Sequence, residues 1–337
     1  MEHVNFNRRL QFVCLGILLL LLFSCKTDPK PIDLTPQAAL RLVEAPSFNE
    51  DSAYKYVLMQ VQFGPRVPNT EGHEAAKNYL VNFLNDYADT VIQQQAKVKA
   101  FDGTILNATN IIASFNPSAS KRIMLSAHWD TRPFADQDSD NQKEPILGAN
   151  DGASGVAVLM EIARQLYLSP VEIGVDVVLF DAEDYGQPYF SEDPYMPDSY
   201  CLGSQYWAKN LHVPNYTAKF GILLDMVGAP NAVFTHEGTS VSYANDYLHE
   251  VWKIAHAAGF SSQFSYLQTS PITDDHLYIN KIAKIPTIDI IQYDKSSESG
   301  FGWYWHTHRD NMDAIDKNTL KAVGQTVLQT VYQENSK

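Results

Sequence analysis

The sequence is poor in cysteine, with only Cys14, Cys25 and Cys201 in 337 residues. Cys14 falls just ahead of an N-terminal apolar run and Cys25 just after it. Removal of the one and lipidation of the other leave Cys201 alone, so the mature domain holds no intrachain disulfide. Cys201, in "SYCLGSQYWA", reads as a small buried hydrophobe ahead of a helix. Basic residues are also in deficit: 25 Lys and Arg face 39 Asp and Glu, a formal net charge of −14. Without clustered Lys or Arg, neither nucleic acid nor an anionic membrane surface is an expected partner. Repeats and low-complexity blocks are missing too. What is present, 45% hydrophobic residues, suffices for a sizeable core.

The apolar run at 15–23 is too short to span a bilayer but suits a signal-peptide core, with Arg8 and Arg9 ahead of it. It ends in Leu22-Phe23-Ser24-Cys25, which resembles a bacterial lipobox, with cleavage before Cys25 and lipidation of its thiol. The expected organisation is a signal peptide over 1–24, a lipidated Cys and flexible tether over 25–36, and a catalytic domain over 37–337. The expected location is the periplasmic side of a bacterial cell envelope, held to the membrane only through this anchor. Lys26, where an acidic residue would favour the inner membrane, tips the choice weakly to the outer one.

Beyond the tether, "DSAYKYVLMQVQFGPRVPNT" suggests a helix stopped at Gly64-Pro65, and "EGHEAAKNYLVNFLNDYA" a second amphipathic helix. Four later runs are short, continuous and apolar: "RIMLSAHWD" at 122–130, "VDVVLFDAED" at 175–184, "FGILLDMVG" at 220–228 and "IPTIDIIQYD" at 285–294. Such runs mark strands covered on both faces. With the apolar helix "GASGVAVLMEIARQLYL" and the helix "LGSQYWAKNL" between them, the rhythm is βαβ. The fold class is α/β: a single domain whose twisted, mostly parallel (mixed) sheet carries helices on both faces.

Three of the four runs end in acids or histidine: His128 and Asp130; Asp181, Glu183 and Asp184; and Asp225. Ligands of open α/β sheets sit beyond the carboxyl ends of the strands, so adjacent ends would gather these groups. Asp151 precedes the apolar helix, where it suits an N-cap or a metal ligand. Glu183 and Asp184 are adjacent and point apart, so one can bind a metal while the other carries a proton. Asp181 belongs rather to supporting structure. In "FGWYWHTHRDN", His306 and His308 share a face only if the segment is extended.

"SAHWD", "GANDGASGVAVLMEIAR", "LFDAED", "LLDMVGAPN", "TDDH" and "WHTHRDN" follow one another in the order of the zinc aminopeptidase-like (M28) superfamily, and most closely resemble the animal-type glutaminyl cyclases on that fold. The resemblance implies Asp151, Asp184 and His306 as ligands of one zinc ion, and Glu183 as the proton-shuttling acid. It further implies Asp225 and Asp274 as carboxylates beside the reacting group, and Trp305 and Phe301 as pocket walls. Its activity would be cyclisation of N-terminal Gln of peptides or proteins, with Glu as a second substrate, to pyroglutamate. Asp184 departs from the animal pattern, which has Glu there. "GQPYFSEDPYMPDSY", at 186–200, differs from those enzymes and is expected on the pocket rim. A di-zinc aminopeptidase is the rival, with His128 and Asp225 holding a second metal bridged by Asp151. A non-catalytic lipid-anchored binding protein would be signalled by a missing ligand or missing Glu, and neither is missing. Oligomeric state has no signature in the sequence.

Overall fold

The four apolar runs become neighbouring parallel strands. In the computed structural model, which describes residues 40–337, they are β3 (Arg122–His128), β4 (Gly174–Phe180), β5 (Gly221–Asp225) and β8 (Thr287–Ile291). The signal peptide and Cys25 lie outside the described residues. The sheet runs β1-β2-β4-β3-β5-β8, with β1 (Thr90–Lys99) and β2 (Ile105–Phe115) forming an antiparallel hairpin. β2 is also antiparallel to β4, and the pairings β4-β3, β3-β5 and β5-β8 are parallel. A small second sheet pairs β6 (Phe234–His236) with β7 (Phe264–Gln268).

All residues of β4 are buried, as its unbroken apolar pattern requires. Its one acid, Asp176, is matched by the Arg122 guanidinium and by the hydroxyls of Ser114 and Tyr216. Helices cover one face: α1 (Glu50–Val61), α2 (Glu71–Asn85), α3 (Ala153–Leu168) and α7 (Lys317–Asn335). Local signals set their ends. Asn49, Thr70 and Asp316 cap α1, α2 and α7, and Gly64 adopts φ 77 just beyond α1, at the predicted stop. Gly155 on α3 lets the helix lie against β5; a Cβ there would sit 2.3 Å from the Leu224 carbonyl oxygen. Against the other face, α4 (Leu202–Lys209) packs Trp207 on Phe180, with Ile279 and Ile285 in the same apolar cluster. α5 (Gly238–Ala257) joins the first face, packed on β8 and α7, and the carboxyl ends of β3, β4, β5 and β8 are left along one edge, where loops and the short α6 (Asp275–Tyr278) meet.

Candidate active site

Past Phe180 the chain delivers its three acids to different tasks. Asp181 is fully buried and accepts from the backbone N–H of Thr109 (2.6 Å) and Ala182 (2.7 Å), with His73 Nε2 at 2.9 Å. It ties the end of β4 to β2 and α2. Ala182 then turns the chain at φ 52, and the next two backbone N–H groups, of Glu183 and Asp184, donate to the two oxygens of Asp130. Adjacent side chains so held diverge. Asp184 Oδ1 lies 3.3 Å from His306 Nε2, whereas Glu183 Oε1 accepts from the Cys201 thiol at 3.1 Å.

Asp151 is not an N-cap. The cap of α3 is Gly152, at φ 95, with no side-chain cap bond. A glycine in the left-handed region shifts the helix start by one residue and frees the Asp151 carboxylate. Its Oδ1 lies 3.0 Å from His128 Nε2 and its Oδ2 3.9 Å from His306 Nε2. Asp310 fixes the loop by accepting from the backbone N–H of Asn150 and Asp151. His306 and His308 do not share a face. The segment turns at His306, φ 53, so His306 is buried while His308 is exposed and pairs with Asp138.

Asp151, Asp184 and His306 place one ligand atom each within 4.8 Å of the others. His306 presents Nε2 to the acids and Nδ1 to Asp136 Oδ1 at 3.2 Å; Asp136 in turn holds Arg132 through two 2.7 Å contacts. A carboxylate behind an imidazole is the usual means of orienting a metal-ligating histidine. Asp184 Oδ2 is buried with no hydrogen-bond partner, a free acceptor on one of the three candidate ligands. Two carboxylates, one imidazole and an open side fit a zinc ion of the catalytic kind.

The electrostatics follow from crowding acids out of water. Burial, with Asp184, Asp274 and Asp275 nearby, holds the half-buried Glu183 well above the usual carboxylate range. Asp225, at the end of β5, is pushed up to about 7 by burial and by Asp151 and Asp274, against the pull of His128. Burial works against a charged His128, but hydrogen bonds with Asp130, Asp151 and Asp225 outweigh it and raise its pKa well above the ordinary value. Asp274, the N-cap of α6, is raised chiefly by burial.

These groups open on a cavity of about 440 Å³. Asp151, Glu183, Asp184, Asp225, Asp274 and His306 line it, and Phe301 and Trp305 form an aromatic wall with ring centroids 4.7 Å apart. Trp305 also stacks on His306 at 3.9 Å. Segment 187–200 supplies the rim, including Gln187, Tyr189, Tyr195 and Tyr200. His128 is not among the lining residues. Cys201 is buried as expected, but it stands at φ 58 and its thiol reaches Glu183. Four non-glycine residues around the cavity share that left-handed backbone: Ala182, Cys201, Met226 and His306. Arg132, Asp136, Asp310 and His73 have no counterpart in the sequence reading. The Arg132 to Asp136 spacing after a strand end was the one available signal.

The model of Peptidase family M28 matches residues 110–331. A solved glutaminyl cyclase of Bacteroides thetaiotaomicron, bound to N-acetylhistamine, is 55% identical with a TM-score of 0.84, over 86% of this chain and 99% of that one. A leucine aminopeptidase precursor from the same species is 54% identical with a TM-score of 0.84, over 86% and 99%. Aminopeptidase YwaD of Bacillus subtilis is 27% identical over 80% of this chain, and the match spans 54% of that enzyme, about half its length. Since the matched segment takes in Asp151, Glu183, Asp184 and His306, the chain belongs to peptidase family M28.

Proposed function

We propose that this chain is a glutaminyl-peptide cyclotransferase, closing the N-terminal Gln of peptides and proteins to pyroglutamate and releasing ammonia. The observation that carries it is that one trio of zinc-type ligands and one raised-pKa glutamate share an aromatic-walled cavity that His128 does not line.

The substrate's α-nitrogen forms a bond to its own γ-amide carbon, and the bond from that carbon to the amide nitrogen breaks. Asp151, Asp184 and His306 would hold one zinc ion per chain, which would supply Lewis acidity to polarise the carbonyl. Glu183 takes the proton that the attacking amine loses and gives it to the departing nitrogen, completing ammonia. A carboxylate shifted toward neutrality does both more readily than an ordinary one. Asp225 and Asp274 hold the amine and the leaving nitrogen. Phe301 and Trp305 restrict the side chain to its folded form, which is most of the task in closing a five-membered ring.

The di-zinc aminopeptidase reading has one observation in its favour. His128, Asp151 and Asp225 also bring ligand atoms within 4.8 Å, with Asp151 common to both trios. Against it, His128 does not line the cavity that Asp151 and Asp225 face. A Gln-initiated and a Leu-initiated peptide decide between them when ammonia, free amino acid and zinc per dialysed chain are measured. Ammonia with about one zinc upholds the cyclase; leucine with about two replaces it with the peptidase. The anchor at Cys25 places the enzyme outside the cytoplasm in this proposal. Labelling of the wild type but not Cys25→Ala by a radioactive fatty acid tests it.

A further inference from the structure

A second group of polar side chains converges around Asp274, one of the residues lining the cavity. His276, on α6, is fully buried and directs Nε2 at Glu237 Oε2, 3.0 Å away. Glu237 is itself saturated, accepting from the backbone N–H of Thr239, Ser240 and Ile272 and from the Ser240 hydroxyl. With Nε2 engaged by Glu237, the other ring nitrogen, Nδ1, faces the opposite way. There it meets Asp289 Oδ2 at 3.7 Å, and Asp274 closes the group, with ligand atoms of all three within 4.8 Å. His276 Nδ1, Asp274 Oδ2 and both oxygens of Asp289 are buried without a hydrogen-bond partner. Among the described residues no Lys or Arg forms an ion pair with any of the three. Acceptors that face one another in the interior are satisfied by a shared proton, as between Asp289 and Asp274, or by a cation, for which His276 Nδ1 completes the donor set.

We propose that Asp274, His276 and Asp289 form a second divalent-cation site, of the zinc class, distinct from the site of Asp151, Asp184 and His306. The donor set is the same in kind, two carboxylates and an imidazole. The 3.7 Å between His276 Nδ1 and Asp289 Oδ2 is what two ligands about 2.0 to 2.2 Å from one ion span at roughly 115 to 135°. Glu237 stands behind His276 as Asp136 stands behind His306, fixing the ring from its far side. Asp274 lines the cavity as well, which gives an ion its way in. It also gives the site a consequence: an ion bound there engages the carboxylate that positions substrate, so excess metal lowers turnover. That inhibition rests on the cyclase reading; the binding does not.

The test titrates zinc onto the full chain, reading bound metal after equilibrium dialysis, ammonia release, and anomalous diffraction from zinc-soaked crystals. The expected result is a rise from about one to about two ions per chain. Turnover falls in parallel, and an anomalous peak lies between Asp274, His276 and Asp289. His276→Gln and the isosteric Asp289→Asn lose the second ion and the inhibition while keeping the first ion; His128→Gln keeps both ions. A second peak at His128, Asp151 and Asp225, or no second peak at saturating zinc, overturns the proposal, and the wild-type map decides this even if a variant fails to fold. If no ammonia is released under any condition, the cyclase reading fails and the metal count still reports on the site.

Discussion

Replacing Glu183 by Gln removes a proton carrier and little else. The backbone N–H bond to Asp130 is untouched, and the amide oxygen of Gln still accepts from the Cys201 thiol, so the side chain keeps its place. Glu183 contributes no atom to the trio of Asp151, Asp184 and His306, so zinc remains. Its charge is a burden on the fold, since burial and the nearby Asp184, Asp274 and Asp275 all oppose it. A neutral amide relieves that opposition, and the melting temperature should hold or rise. Positioned acid–base groups contribute about 10² to 10⁴ in rate, equivalent to roughly 3 to 5.5 kcal/mol of barrier. The expected variant therefore releases ammonia at least about a hundredfold more slowly at saturating peptide, with wild-type zinc content and an undiminished melting point. Ammonia release, mass-spectrometric zinc analysis and a thermal melt together make the assay. A fall in kcat of less than tenfold, or zinc loss equal to that of a ligand variant, would falsify the assignment of Glu183 as shuttle.

Asp184→Ala should lose both zinc and turnover, because it deletes a proposed ligand that also meets His306 at 3.3 Å. Trp305→Ala strips the cavity wall and the ring stacked on His306, and should lower kcat/KM by about 10- to 100-fold with zinc retained; unchanged kcat/KM would remove Trp305 from the site. Gly155→Ala forces a Cβ to within 2.3 Å of the Leu224 carbonyl oxygen and should cost about 1 to 3 kcal/mol, read as a lower urea midpoint. Glu334 near the C-terminal end of α7 sits among Lys121, Lys219 and Lys337. Burial raises its pKa, but the hydrogen bonds of Lys219 and Lys337 prevail and hold it below the usual value of 4.5. A depressed carboxylate stabilises the fold above its unfolded pKa and ceases to as pH falls through its folded one. The stability deficit of Glu334→Gln should thus be greatest at pH 7 and shrink below about pH 4.5; a deficit that grows with acid would contradict it.

Legibility in the sequence tracked burial. β3, β4, β5 and β8 could be read because strands covered on both faces leave unbroken apolar runs, and their ends pointed to the acids. The β1-β2 hairpin was not read. Its first strand, TVIQQQAKVK, is half exposed and polar enough to pass for a loop. Within the site, residues facing the cavity could be named, whereas those behind them could not. Arg132, Asp136, Asp310 and His73 are fully or almost fully buried, and nothing in a lone Arg or Asp announces that it will be. Asp151 shows the same limit: whether it or Gly152 begins the helix depends on a backbone twist that spacing alone does not reveal.

Ala182, Cys201, Met226 and His306 all bend the chain in a sense that costs a side-chain-bearing residue about 1 kcal/mol or more. Three of them directly precede, follow or touch a proposed catalytic carboxylate, and the fourth is a proposed ligand. Each contortion is kept in place by its neighbours and by little intrinsic preference of its own. The sheet beneath has the opposite character, apolar and at ease. On slow heating the two should part company: the cavity relaxes first, and the enzyme falls silent at a temperature where its strands are still intact.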